Sequence, residues 1–411
     1  MKNTYARLKF ACYTANASMS VVGNLSPLLF LTFRALYDIS YSLLGLLVLV
    51  NFFTQLLVDL TLSFFSHKFN LAKTVKFMPV LAVIGFTVYA LAPVVFPNAV
   101  YVGLAIGTVI FSAASGLAEV LISPVIAAIP SDNPEREMSK LHSVYAWGVV
   151  AVVLFSTLFL QTFTGKYWQI LAAILTCIPL VSCIAFFGAK IPPMQTPEKT
   201  SGALQFLKNK GVWLCVFAIF LGGASECTMA QWASGYLEQA LKIPKIWGDI
   251  FGVALFAVAL GLGRTLYAKF GKNIEKVLCF SAIGAFACYV IAALSPFPIL
   301  GLLGCALTGF CTAMLWPGSL IVASDRYPTG GVFIYALMAA GGDFGASVGP
   351  QLVGVVTDFA LENQTLINFA QTLNLSPDQL GMKLGMLIGA LFPMLAIFVF
   401  GYIWKRKKNK S

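Results

Sequence analysis

Of sixteen acidic side chains in this 411-residue chain, twelve fall in loops or at the ends of long apolar stretches, and Asp59, Glu119, Glu226 and Asp343 lie within such stretches. A carboxylate at the centre of a bilayer costs about 2.5–3.5 kcal/mol on insertion scales, so such a group normally faces water, a partner or a transported ion. These four are the first candidates for groups that take up and release a proton or a sodium ion. Glu119 follows the small-residue run Ser112, Ala113, Ala114, Ser115 and Gly116, which lets helices approach closely, and stands one turn before Ser123 and Pro124. Its alternative role is an interhelical hydrogen bond, for which His142 is a candidate partner. Asp343, set among Gly341, Gly342 and Gly345, either lines a cavity or bonds a neighbouring backbone. Glu226 opens a polar run that includes Gln231 and Trp232, of the kind found in helices that line a pathway. Asp59, with Gln55 one turn earlier, suits gating or helix pairing, and an ion site is the alternative.

The tryptophans fall into two sets. Trp168, Trp213, Trp247 and Trp404 stand at the ends of apolar stretches, as expected of interfacial anchors, whereas Trp147, Trp232 and Trp316 stand inside them. A deep indole offers a flat apolar face and one N–H donor, which matches the C–H face of a sugar ring; ordinary packing is the other reading. His142 and Gln231 add polar groups to the same set of segments.

No phosphate-binding GxxxxGK[ST] run and no HExxH run is present, so neither ATP-driven pumping nor enzymatic chemistry is expected. The nine cysteines lie in apolar stretches with no ligand spacing to His67 or His142; they read as reduced packing thiols, with no metal and no cofactor.

These residues must be positioned by membrane helices. The chain is 59% hydrophobic and 10% charged, with a mean hydropathy of +0.84, against roughly 25% charged residues in soluble proteins. Apolar runs at 9–34, 40–65, 75–95, 99–129, 138–163, 167–189, 212–239, 246–268, 276–295, 298–323, 330–357 and 381–404 each approach or exceed the roughly 20 residues that cross a bilayer. The spacing predicts an all-α integral membrane protein of twelve transmembrane helices. The first six span residues 1–189, a cytoplasmic linker spans 190–211, and the last six span 212–411. Of 27 Lys and Arg, all but Arg34, Lys166, Lys242, Lys245 and Lys383 fall on the side that holds both termini. The positive-inside rule places that side in the cytoplasm, and the plasma (cytoplasmic) membrane is the expected location. This asymmetry in short loops accounts for the net charge of +11, so a nucleic-acid partner is not expected; the partners are the bilayer and a small-molecule substrate, with the chain acting as a monomer.

The two halves echo each other. Gly116 precedes Pro124 by eight positions, as Gly309 precedes Pro317, and the same offset sets Gly148 opposite Gly341. Duplicated halves with a site between them are the architecture of many secondary carriers.

The segment Gly261-Leu-Gly263-Arg264 through Lys269-Phe-Gly271-Lys272 resembles the loop motif of the major facilitator superfamily, with a degenerate first copy at His67-Lys68-Phe69-Asn70. Glu119-Val-Leu-Ile-Ser123-Pro124 resembles the Glu-x-x-x-Asn-Pro run of the fucose–galactose–proton symporter branch, with Ser replacing Asn. The resemblance implies two pseudo-symmetric six-helix bundles. It also implies proton-linked sugar recognition by Glu119, and gating by Lys68, Arg264 and Lys269. The family's second acid, on the first span, has Gly23 or Asn24 in its place. Glu119 is therefore expected as the ion-coupling acid, with Glu226, Asp343 or Asp59 standing in for the second one and a proton or sodium as the ion, and Asn24 joins the substrate-binding set. The expected function is secondary active transport of a sugar or sugar-like solute by alternating access. The alternative is a proton-coupled antiporter exporting drugs or metabolites, suggested by the Gly/Pro run Gly341 to Gly354.

Overall fold

A computed structural model describes residues 5–65, 68–130, 134–192, 207–327 and 331–408. Helices α1 (Ala6–Leu28), α2 (Phe30–Tyr37), α3 (Tyr41–Phe65), α4 (Leu71–Val95), α5 (Val100–Ala128), α6 (Pro134–Phe163) and α7 (Trp168–Phe187) come first. They are followed by α8 (Lys210–Gln239), α9 (Lys245–Gly248), a π-helical turn (Asp249–Ala254), α10 (Leu255–Phe270), α11 (Ile274–Leu294), α12 (Pro298–Thr312), α13 (Leu315–Arg326), α14 (Gly331–Glu362), α15 (Gln364–Thr372) and α16 (Pro377–Lys408). No strand occurs among the described residues. Only helices satisfy their own backbone within one segment, which is why an apolar chain of this kind crosses lipid as helix.

Among the described residues ten helical segments are long and apolar enough to cross a membrane, or eleven when α1 and α2 are one span bent by 48°. A shorter apolar helix, Trp147–Phe163, makes up the latter part of α6. The first span, read over 9–34, is thus a bent one. Pro27, which lacks an N–H donor, sits at the bend. The tenth span likewise divides between α12 and α13, just ahead of Pro317.

The chain forms two compact units. One comprises residues 1–32 and 53–200; the other comprises 33–52 and 201–411. In the first unit α1 packs on α6 and α7, and α4 packs on α5 and α7. The second unit repeats these pairings with α8 on α14 and α16, and α11 on α12 and α16. The repeated glycines sit at matching crossings. Gly116 of α5 meets the backbone of Gln55 on α3, and Gly309 of α12 meets the carbonyl of Phe256 on α10. Gly148 faces Ser20 on α1, and Gly341 faces Val216 on α8. Close approach of small residues is what holds helices together in lipid, where burial of apolar surface gives no net drive.

Aromatic packing fills the first unit. Phe86 stacks on Phe111 at 4.7 Å, and Tyr89 meets Trp168 edge-on at 5.8 Å. Trp168 was expected at the interface, but it is fully buried. The 3₁₀ turn Gly165–Tyr167 delivers it into α7 with its ring turned onto Tyr89. At the terminus-bearing end, Glu137 accepts from Lys9 Nζ at 2.9 Å and Lys140 Nζ at 3.2 Å, and Tyr13 donates to it at 3.2 Å. The hydrogen bond from Lys9, reinforced by Lys140, holds the Glu137 carboxyl down at about 2.

In the second unit a carboxylate from α14 caps the start of α3. Tyr41 and Ser42 donate their backbone N–H groups to Asp358 at 3.0 and 2.6 Å. This satisfies donors that a helix N-terminus leaves open, and it sets a negative charge at the positive end of the helix dipole. Tyr41 also donates its hydroxyl to Asp378 at 3.0 Å, and Arg34 pairs with Asp378 at 3.3 Å while lying 4.1 Å over the Tyr41 ring.

Candidate functional site

Proline at position 317 cannot donate to the carbonyl four residues earlier. That carbonyl belongs to Ala313, at the break between α12 and α13. Its acceptor capacity is taken by a side chain from α10: Arg264 donates Nε to Ala313 O at 3.1 Å. The same guanidinium reaches Glu226 of α8, with Nη2 at 3.3 and 3.4 Å from the two carboxylate oxygens. Arg264 keeps 45% of its side chain exposed and Glu226 14%. Charged groups inside the spans of a membrane protein line a water-filled cavity or pair with each other; these two pair.

Other groups gather around it. Cys227 lies within electrostatic range of Glu226, Arg264 and Asp343. Asp343 is buried on α14. Next to it Gly342 packs under the Trp316 ring, which also meets Gly223, one turn before Glu226 on α8. Trp316 itself is half-buried. The glycines are needed here, because a Cβ at Gly342 would collide with that ring. The structure thus brings Glu226 and Arg264 together at the break after α12, with Trp316 set against Gly223 and against Gly342, the chain neighbour of Asp343. Gln231 is buried further along α8. Trp232 is fully buried, donates Nε1–H to Pro350 O at 2.8 Å and packs its ring 6.1 Å from Tyr41; here it is a packing residue.

The first unit carries the remaining candidates. Glu119 on α5 is exposed and makes no ion pair among the described residues. Asp59 is buried on α3 in line with Gln55 and Asn51, also buried, at intervals of four residues that set all three on one helix face. Asn24 donates to Ser20 O within α1 at 2.9 Å. Trp147 is 71% exposed. The side chain of His142, and all of His67, lie outside the described residues. Lys68 and Lys269 are exposed and lie over Phe65 and Phe270.

Sequence reasoning missed Asp358 and Asp249. Asp249 is fully buried in the π-helical turn and pairs with Lys245 at 3.2 Å, while Lys245 also donates to Ser234 at 2.8 Å. The four-residue spacing of Lys245 and Asp249 was a readable signal; the capping role of Asp358 left none. Among the described residues no three His, Cys, Asp or Glu side chains converge as metal ligands.

No curated protein matches the sequence. Among solved structures, the chain is similar to a bacterial homolog of the human lysosomal transporter Spinster in an inward-facing, occupied conformation. The TM-score is 0.75 at 13% identity, covering 99% of this chain and 98% of that one. It is similar to the nucleoside transporter NupG at the same TM-score and identity, covering 96% and 99%. It is also similar to the E. coli fucose:proton symporter FucP, with TM-score 0.56 and 16% identity, covering 96% and 99%. At such identities these likenesses establish the fold. The family model described as Major Facilitator Superfamily matches residues 11–350, and the chain belongs to that family of membrane transporters.

Proposed function

We propose that this transporter moves a small polar solute of the sugar type, driven by a proton or sodium gradient, with both termini in the cytoplasm. The observation that carries the reading is the Glu226–Arg264 pair on the broken helix at Ala313. It offers a charge that an entering ion or solute can rearrange, at a backbone carbonyl already freed by Pro317. A solute hydroxyl or a proton arriving at Glu226 loosens its hold on Arg264, and the helix break then gains or loses its donor. Trp316 supplies a flat apolar face one turn away, suited to a sugar ring. Glu119, one turn before Ser123 and Pro124 on α5, supplies a second carboxylate, suited to carry the coupling ion. The similar folds include a fucose:proton symporter and a nucleoside transporter, whose solutes both contain a sugar ring.

Solute-induced ion movement in proteoliposomes tests this, over hexoses, pentoses and nucleosides, with and without sodium. Wild type is expected to couple uptake to inward ion flow. Glu119→Gln is expected to keep solute exchange and lose ion dependence, and Glu226→Gln to lose both. Intact uphill uptake with unchanged ion dependence in both variants overturns the assignment. Outward proton flow on solute addition makes the chain an antiporter.

A further inference from the structure

Two free cysteines meet where α11 packs on α12. Cys288 of α11 and Cys311 of α12 hold their sulfurs 4.0 Å apart. Two glycines let the helices come this close. A Cβ at Gly284, one turn before Cys288, would stand 2.8 Å from Cys311 Sγ. One at Gly304 of α12 would stand 2.8 Å from the Cys288 carbonyl oxygen. Small residues at such a crossing allow close helix approach, and here that approach sets two thiols against each other.

The two thiols differ in access. Cys288 is buried, whereas Cys311 is half-buried. Cys311 lines a cavity of about 510 Å³ with Val277, Phe280, Ser281 and Phe310, and the start of α11 forms the remaining wall. Phe280 and Phe310 lie within membrane-length apolar helices and are 57% and 45% exposed. An apolar reagent entering along them meets Cys311 first, with Cys288 one sulfur contact behind it. An accessible thiol backed by a resolving thiol is the arrangement that makes cysteine oxidation reversible. Closing from contact to the roughly 2.05 Å of a disulfide asks for less travel than a change of χ1 well supplies, about 3 Å at a sulfur. The disulfide is also neutral, so an apolar span tolerates it where a charged sulfinate would be costly.

We propose that Cys288 and Cys311 form a dithiol redox site that an organic hydroperoxide of the lipid type oxidises to a disulfide. Cys311, as its thiolate, attacks the terminal peroxide oxygen; the O–O bond breaks, and the alcohol leaves with the thiol proton. Cys311 is then a sulfenic acid. The Cys288 sulfur attacks the Cys311 sulfur, the S–O bond breaks, and the hydroxyl leaves with the Cys288 proton as water. The thiols together lose two electrons and two protons, and the peroxide is reduced to alcohol and water. Cys311 immediately precedes Thr312, the last residue of α12, so the bond ties the helix end at the break to α11. Its action on transport rests on the reading above, in which the turn at Ala313 rearranges; formation of the bond does not.

Cumene hydroperoxide, an apolar probe, added to the full chain in proteoliposomes tests this by peptide mass spectrometry. Wild type is expected to give a linked Cys288–Cys311 peptide, about 2 Da lighter than the two free peptides together for the two hydrogens lost, and dithiothreitol is expected to reverse it. Cys288→Ser is expected to stop at the sulfenic acid, trapped on Cys311 by dimedone. Cys311→Ser is expected to leave Cys288 unmodified. Cys305, fully buried on the same helix as Cys311, is expected to stay unmodified throughout. Uptake of glucose, xylose and uridine by wild type is expected to fall in step with the linked fraction, and to hold in both serine variants. Absence of the linked peptide, or equal dimedone trapping at Cys288 and Cys311, overturns the site. Full uptake in linked protein overturns its action on transport. Absence of uptake of all three solutes by the reduced protein strikes the sugar reading instead, and the bond, read by mass alone, is decided separately.

Discussion

The fourth and tenth spans carry the same Gly-to-Pro frame but treat it differently. In α5, Pro124 lies inside a continuous helix from Val100 to Ala128. In the tenth span, the same spacing from Gly309 to Pro317 ends α12 at Thr312 and restarts the helix at Leu315. Both prolines free a carbonyl, so proline alone does not explain the break. The difference is that Arg264 of α10 reaches the freed carbonyl of Ala313. A charged donor stabilises an opened turn that would otherwise leave a buried acceptor unpaired. The acids divide in the same way. Glu119 stands three residues after Gly116, and the matching position after Gly309 is Thr312, whose hydroxyl bonds Thr308 O at 2.9 Å within its own helix. The second unit carries its carboxylate on α8 instead, as Glu226, tied to the arginine that holds the break.

Five substitutions probe this comparison, from the largest expected effect to the smallest within each readout. Arg264→Ala leaves Glu226 without its cation and Ala313 without its donor. A hydrogen bond to a charged group is worth about 1.5–3 kcal/mol, which sets the expected loss of transport at roughly 10- to 100-fold; initial uptake rates in proteoliposomes measure it. Wild-type rates in this variant would show that the break is held by packing alone.

Pro317→Ala returns an N–H to Ala313 and competes with Arg264 for the carbonyl. Uptake is expected to fall about tenfold, on the scale of one such hydrogen bond. Pro124→Ala, in a helix that is already continuous, is expected to change uptake less than about twofold, well under that scale. Equal effects from the two prolines would erase the distinction between the spans.

Asp358→Ala removes the carboxylate from the start of α3. Lost caps cost about 1 kcal/mol, or roughly 2–4 °C in Tm for a unit of this size. A thermal-shift assay in detergent measures it, and an unchanged Tm would mean that water replaces the cap without loss.

Glu137→Gln should show the smallest effect, about 0.2–1 kcal/mol as for exposed pairs. The Glu137 carboxyl is held below its ordinary value, at about 2, so its stabilisation is full above the unfolded value of about 4.3. It is lost as pH falls through about 2. The Tm difference between wild type and variant is expected at pH 7 and to shrink as pH falls below about 4.5. A gap that stays constant with pH would show that the carboxylate charge contributes nothing.

The helical class, the membrane, the repeat and the place of Glu119, Glu226, Asp343 and Asp59 within apolar segments were legible in the sequence. Each rests on local composition or on spacing within one segment: apolar length sets a span, and a Gly–Pro interval sets a crossing. The pairing of Glu226 with Arg264 was not legible, since the two were assigned to separate tasks and lie 38 residues apart on different helices. Nor was the burial of Trp168 and Trp232, because the end or middle of an apolar run does not say which way a ring points. The capping of α3 by Asp358 joins residues 316 positions apart in sequence. Only the packed chain decided which freed carbonyl met an arginine, because hydrogen bonds in a membrane protein are chosen by which helices come within reach, and the reach of a side chain spans three dimensions while its sequence spans one.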